Sequence, residues 1–134
     1  MKEKKSQLRL RELLFDKIRF ERTGNSKNKN GLEQDFTAQV GENKAEELYR
    51  VVLSMRFKKE GEYEGEIVIH GVFSFETEDE PDERTKDRII RQNTIAIMMP
   101  YVRSELTMLT SQPGVDPVVL PAFNINQMFE EKES

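Results

Sequence analysis

The sequence predicts an α+β domain: a four-stranded antiparallel sheet, followed by a long helix, an extended crossing loop and a short C-terminal helix. Three observations carry this. Between residues 8 and 76, apolar and polar side chains alternate in four stretches, the period of a half-buried strand. Gly61 and Glu62 make a short turn between the third and fourth stretches, a hairpin spacing. Beyond the acidic run 76–83 the apolar period lengthens to steps of three and four, the period of a helix.

The first strand covers 8–22, with Leu8, Leu10, Leu14, Ile18 and Phe20 on even positions and Arg9, Arg11, Lys17 and Arg19 among the odd ones. The polar stretch GNSKNKNG at 24–31 reads as a solvated turn. After it, Phe36, Ala38 and Val40 alternate with Thr37 and Gln39 in a shorter strand. The third strand, 47–59, sets Tyr49, Val51, Leu53, Met55 and Phe57 on one face and Arg50, Ser54, Arg56 and Lys58 on the other, so one face is buried and one is wet. In the fourth, Tyr63, Gly65, Ile67, Ile69, Gly71, Phe73 and Phe75 alternate with Glu64, Glu66, His70, Ser74 and Glu76. These two strands are expected to pair antiparallel. Pro81 stops any strand from continuing through the acidic run.

The helix is predicted over 82–110 and carries two apolar stripes: Ile95, Met99, Val102, Leu106 and Leu109, and then Ile90, Ile97, Tyr101 and Met108. A helix lying on its own sheet needs only one such stripe, so the other predicts a further partner, another copy of the chain. Pro100 lacks the N–H that the helix would use and is expected to kink it. Pro113, Gly114, Pro117 and Pro121 then punctuate the crossing segment, and a short helical turn is expected from Asn124.

With 134 residues, 36% hydrophobic and 34% charged, the chain suits one modest core, a single domain over 1–134 with flexible tails at about 1–7 and 130–134. A net charge of −4 argues against a nucleic-acid partner, because phosphate binding needs Lys and Arg in excess. Zero Cys removes thiol catalysis and thiolate metal sites and suits a cytoplasmic protein. The opening MKEKKSQLRLRELLF is charged through Glu12, so neither a signal peptide nor membrane insertion is expected.

The single histidine, His70, allows no His-pair metal site and reads as a half-exposed sheet residue. The acidic run lacks the ligand spacing and central Gly of a calcium loop. Glu12, Asp16 and Glu105 fall on or between apolar positions, where pairing with an Arg such as Arg19 or Arg103 would account for them. No phosphate-binding glycine motif and no GxSxG occurs, so neither an enzyme nor a cofactor is expected.

The segment NTIAIMMPYVRSELTMLTSQPGVDPVVLPAFNINQMF (93–129) resembles the SecB family of protein-export chaperones. The likeness rests on Pro100, Tyr101 and Arg103 in the helix, on Leu120, Pro121 and Asn124 in the loop, and on Gly71, Val72 and Phe73 closing the sheet. LYRVVLSMRF and DKIRFE resemble the family's strands, so the likeness spans about 13–129. Ala122 and Phe123 replace the family's second Pro and its neighbour, and Ile125 stands where the family has Phe. The resemblance implies a homotetramer, a dimer of dimers, with Ile95, Met99, Val102, Leu106 and Leu109 assigned to the interface. It implies that unfolded polypeptides or preproteins are held without ATP in apolar grooves, here assigned to Phe36, Val40, Met98, Tyr101, Leu120, Phe123 and Ile125. It further implies docking to the translocation ATPase SecA through acidic residues, matched by Glu21 and Glu66, while Lys17 occupies a position that is normally acidic. The alternative is a SecB-like adaptor chaperone dedicated to one partner such as an antitoxin.

Overall fold

The computed structural model describes residues 6–25, 31–77 and 82–121. They form β1 (Ser6–Arg22), β2 (Glu33–Asn43), β3 (Leu48–Lys59), β4 (Tyr63–Thr77) and α1 (Glu83–Thr110). The strands make one sheet in the order β1-β4-β3-β2 with every neighbouring pair antiparallel, as the alternation predicts. The short C-terminal helix expected from Asn124 lies outside the described residues.

Three residues, 60–62, separate the last paired residues Lys59 and Tyr63. Gly61 takes φ 76°, and Glu62 N–H donates to the Lys59 carbonyl at 3.0 Å, so the loop is a three-residue hairpin with its glycine in the left-handed region.

Strict alternation fails in β1. Its pairing with β4 slips once between Leu10 and Glu12 and again between Phe15 and Lys17, two β-bulges that each reverse which parity faces the helix. Leu8, Leu10, Leu13, Phe15, Ile18 and Phe20 then lie opposite Phe75, Phe73, Gly71, Ile69, Ile67 and Gly65, on the helix-bearing face. Leu14, expected on that face, lies opposite His70 on the other. The bulges also correct the reading of the carboxylates. Glu12 and Asp16 are exposed, and Asp16 meets His70 Nδ1 at 2.7 Å rather than Arg19, which lies 3.4 Å from Glu21.

The core lies between the sheet and α1. Tyr49, Val51, Leu53, Met55 and Phe57 of β3 and Tyr63, Ile67, Ile69 and Phe73 of β4 are buried beneath Ile90, Ile95, Met98, Met99, Val102 and Leu106 of the helix. Asp82 caps α1 by accepting from Thr85 N–H at 2.7 Å, and α1 continues through Pro100 to Thr110. Pro100 is on the exposed side, where water can take the carbonyl that its missing N–H leaves unpaired. Buried Thr94 and Thr110 return their hydroxyls to the carbonyls of Ile90 and Leu106 at 2.7 and 2.9 Å, so neither is an unsatisfied group.

Candidate binding surfaces

The sheet holds α1 close because Gly71 has no side chain. A Cβ there would lie 2.7 Å from the Phe73 ring and 3.3 Å from Met98 Sδ. Burial shows which stripe of the helix is internal. Ile95, Met99, Val102 and Leu106 are all buried in the chain's own core, and Leu109 packs against it. The apolar surface left for a second body is therefore the other stripe, less Ile90, which is also buried.

What α1 turns outward is uncharged over its middle turns. No Asp, Glu, Lys or Arg occurs from Gln92 to Val102. Tyr101 is 44% exposed and Met108 68%, with Asn93, Ala96, Pro100 and Ser104 also exposed. On the same side of the sheet, Leu10, Phe15 and Ile18 of β1 are uncovered because α1 packs chiefly on β4 and β3. Scattered exposed apolar residues are ordinary; here Tyr101 and Met108 of the helix and Leu10, Phe15 and Ile18 of β1 are uncovered on one side of the sheet, next to helix turns free of charge from Gln92 to Val102.

The start of the crossing segment is fastened to the helix end. Thr107 Oγ1 donates to the Val118 carbonyl at 2.7 Å, and Val118 N–H donates to Thr110 Oγ1 at 2.9 Å. Gly114, at φ 80°, turns the chain, and its carbonyl accepts from Arg22 Nη2 at 3.3 Å. Val115 is buried, Leu120 packs partly on the core, and Val119 between them is 78% exposed.

A cleft opens between α1 and β2, lined by Val40, Glu42, Tyr49, Asp87 and Arg91. Lys86 Nζ stands 5.5 Å from the centroid of the Tyr49 ring and 3.8 Å from Glu42, while Arg91 Nη2 donates to the Ala38 carbonyl at 3.3 Å.

The opposite face of the sheet carries paired charge. Glu66 lies 2.7 Å from Lys17 Nζ and 3.2 Å from Arg56 Nε, with its side chain only 12% exposed. Hydrogen bonds from Lys17 and then Arg56 hold its carboxyl below the ordinary carboxylate range. A depressed folded pKa gives stability that is present above the unfolded pKa and is lost as pH falls through the folded one. The melting temperature of Glu66→Gln is therefore expected to approach that of the parent chain as pH drops from 7 to 3; a difference that stays constant over that range would show the pairs to be without effect.

Of the sequence-assigned groove positions, Val40 and Tyr101 are exposed, Leu120 is half-buried, and Phe36 and Met98 are buried. Phe123 and Ile125 lie outside the described residues. Glu21 is exposed and Glu66 is doubly paired. Alternation alone missed the uncovered Phe15 on the helix side of β1, although the 2-3-2-3-2 spacing of Leu8, Leu10, Leu13, Phe15, Ile18 and Phe20 holds the signal.

No protein-family model matches the chain. Its sequence is 29% identical over 96 residues to the protein-export protein SecB of Anaplasma phagocytophilum, a match that takes in 69% of this chain and 61% of that protein's length. Its fold is similar to that of a SecB-like chaperone from Mycobacterium tuberculosis, solved in complex with a ChAD peptide from an antitoxin. The TM-score is 0.71 at 14% identity, covering 87% of this chain and 88% of the other. It is also similar to a protein of unknown function from Streptococcus agalactiae, with TM-score 0.54 at 13% identity over 89% and 99% of the two chains.

Proposed function

We propose that this divergent SecB-like chain is an ATP-independent chaperone that binds unfolded polypeptides on its apolar surfaces and assembles with itself, as a dimer of dimers, to form them. The observation that carries this reading is the uncovered apolar surface: Tyr101 and Met108 on the outward side of α1, whose turns from Gln92 to Val102 carry no charge, and Leu10, Phe15 and Ile18 on the helix-bearing side of β1. Each such side chain contributes about 1.5–3 kcal/mol when a partner covers it, so several weak contacts along a wrapped client suffice. Val40, Tyr101 and Leu120 are the client-facing positions that the described residues make accessible, and Met108 adds the flexible thioether that suits many shapes. Light scattering from three unrelated proteins as they unfold tests the reading. Suppression of aggregation for all three at near-stoichiometric chain is expected, and suppression of none would sink it.

Two destinations for the client differ in what they ask of the outer sheet face. Docking to SecA through acidic groups would need Glu66 and Glu21 available, but Glu66 is neutralised by Lys17 and Arg56 and Glu21 lies 3.4 Å from Arg19. That charge balance argues against SecA as the receiver; the second reading is an adaptor chaperone of the cytoplasm dedicated to one partner such as an antitoxin. The antitoxin peptide held by the Mycobacterium tuberculosis relative in fold supports the same form. SecA is expected to bind the unaltered chain weakly and Lys17→Glu at least about tenfold more tightly, since the change removes one cation from Glu66 and adds a carboxylate. Equal and tight binding to both would restore the export reading.

A further inference from the structure

We propose that Arg103 of one copy pairs with Glu105 of a second copy, in a two-fold contact that sets two α1 helices side by side and running the same way. The pair rests on the self-association of the proposed chaperone and names the groups that would fix its geometry.

Arg103 and Glu105 are the only charged residues of α1 between Gln92 and Thr110, and both are half-buried. The single chain gives neither a counter-charge. Arg103 Nε is buried without a hydrogen-bond acceptor, and among the described residues no ion pair or side-chain hydrogen bond engages either group. A charged donor removed from water and left unpaired is costly, and an acceptor brought by another body relieves it. The two cannot serve each other within one chain, although the sequence invites that pairing. Side chains two positions apart on a helix point roughly 200° away from one another.

Their placement on the helix is what a second copy would use. Arg103 lies one turn before Thr107, on the flank where the crossing segment is tied to α1. Glu105 lies one turn before Leu109, on the opposite flank. Exposed Tyr101, Ser104 and Met108 form the ridge between them. An uncharged ridge with a cation on one flank and an anion on the other is the layout by which paired helices choose partner and direction. A two-fold axis running along the helices lays each flank against the opposite flank of the other copy, so Arg103 meets Glu105 twice. An axis running across them lays like flanks together, Arg103 against Arg103 and Glu105 against Glu105, which repel. Along the axis the two groups are only about 3 Å apart in height, within the reach of an arginine side chain. An unfolded client offers no fixed pair of opposite charges astride this ridge, whereas every second copy does.

Sedimentation equilibrium of the full chain with two charge reversals, Arg103→Glu and Glu105→Arg, tests the pair. Each reversal alone sets like charges together in both contacts and is expected to raise the dissociation constant at least about tenfold. An equal mixture of the two variants is expected to recover the association of the parent, and so is the chain that carries both changes. Single reversals without effect overturn the pair, as do losses that neither the mixture nor the double change restores. Recovery by the double change but not by the mixture places the pair within one chain and overturns it too. Where a reversal unfolds the chain, Arg103→Gln and Glu105→Gln replace it; their losses are expected to be non-additive, and additive losses overturn the pair. In each of these cases suppression of aggregation by the parent chain still decides the chaperone reading. A parent chain that stays monomeric at every concentration removes its self-association and this inference with it.

Discussion

Replacing Gly65 by Ala is expected to cost about 3 kcal/mol of stability, the upper end for an overpacked core site, and to lower the melting temperature by about 10 °C. A Cβ at this position would sit 2.1 Å from the Arg19 carbonyl oxygen and 2.3 Å from the Phe57 ring. Neither neighbour yields easily. Arg19 is main chain in the adjacent strand, paired across from Glu66. Phe57 is buried, 6.2 Å by ring centroid from Tyr63, and Tyr63 stacks at 4.9 Å on Phe20. One methyl group must therefore part β1 from β4 or unstack three aromatic rings. Gly41→Ala is the matched control, because its Cβ would meet only the Arg50 carbonyl, at 3.9 Å. Urea unfolding of both variants checks the contrast, with the control expected within about 0.5 kcal/mol of the parent. A Gly65→Ala chain as stable as the control would mean that the β1–β4 contact is looser than these distances imply.

The double change Tyr101→Asp with Met108→Asp is expected to lower the solution mass to that of a smaller assembly and to reduce suppression of client aggregation at least about tenfold. Both side chains are uncovered in the single chain, at 44% and 68% exposure, so the fold should survive with its melting temperature within about 2 °C of the parent. In an assembly that covers them, the same changes remove about 1.5–3 kcal/mol of apolar burial each and add two carboxylates that must be dehydrated. A single helix stripe thus separates folding from association. Leu106→Asp, on the buried stripe, is expected to unfold the chain instead. Light scattering coupled to size separation measures the masses. An unchanged mass for the folded double variant would remove this face of α1 from the interface and place association elsewhere on the surface.

The two variants touch different levels of the molecule. Gly65 belongs to a close contact within the sheet, where the missing side chain lets β1 and the Phe57 ring approach. Tyr101 and Met108 belong to a surface that the isolated chain does not cover. Chaperone action, as proposed here, needs both: a rigid sheet to fix positions, and apolar area held back from the core.

Periodicity in the amino-acid order was enough to determine the four strands, the hairpin joining the third and fourth, and the long helix. Each is a local property, set by which side chains recur at two or at three to four residues. The resemblance carried by Pro100, Tyr101 and Arg103 likewise needed only the letters and their spacing. The tertiary structure alone decided three further matters. The bulges at Leu10/Glu12 and Phe15/Lys17 moved Leu13 and Phe15 to the helix side and Leu14 away from it, because register depends on the β4 partner and not on β1 by itself. The helix had two apolar stripes of similar length, and packing on the sheet buried Ile95, Met99, Val102 and Leu106 in the core, leaving Tyr101 and Met108 outside. Glu66 read as an available carboxylate until Lys17 and Arg56, respectively 49 and 10 positions away in the chain, were seen to close on it. Pattern along a chain reports which face a residue can share; only the packed neighbours settle what lies across from it.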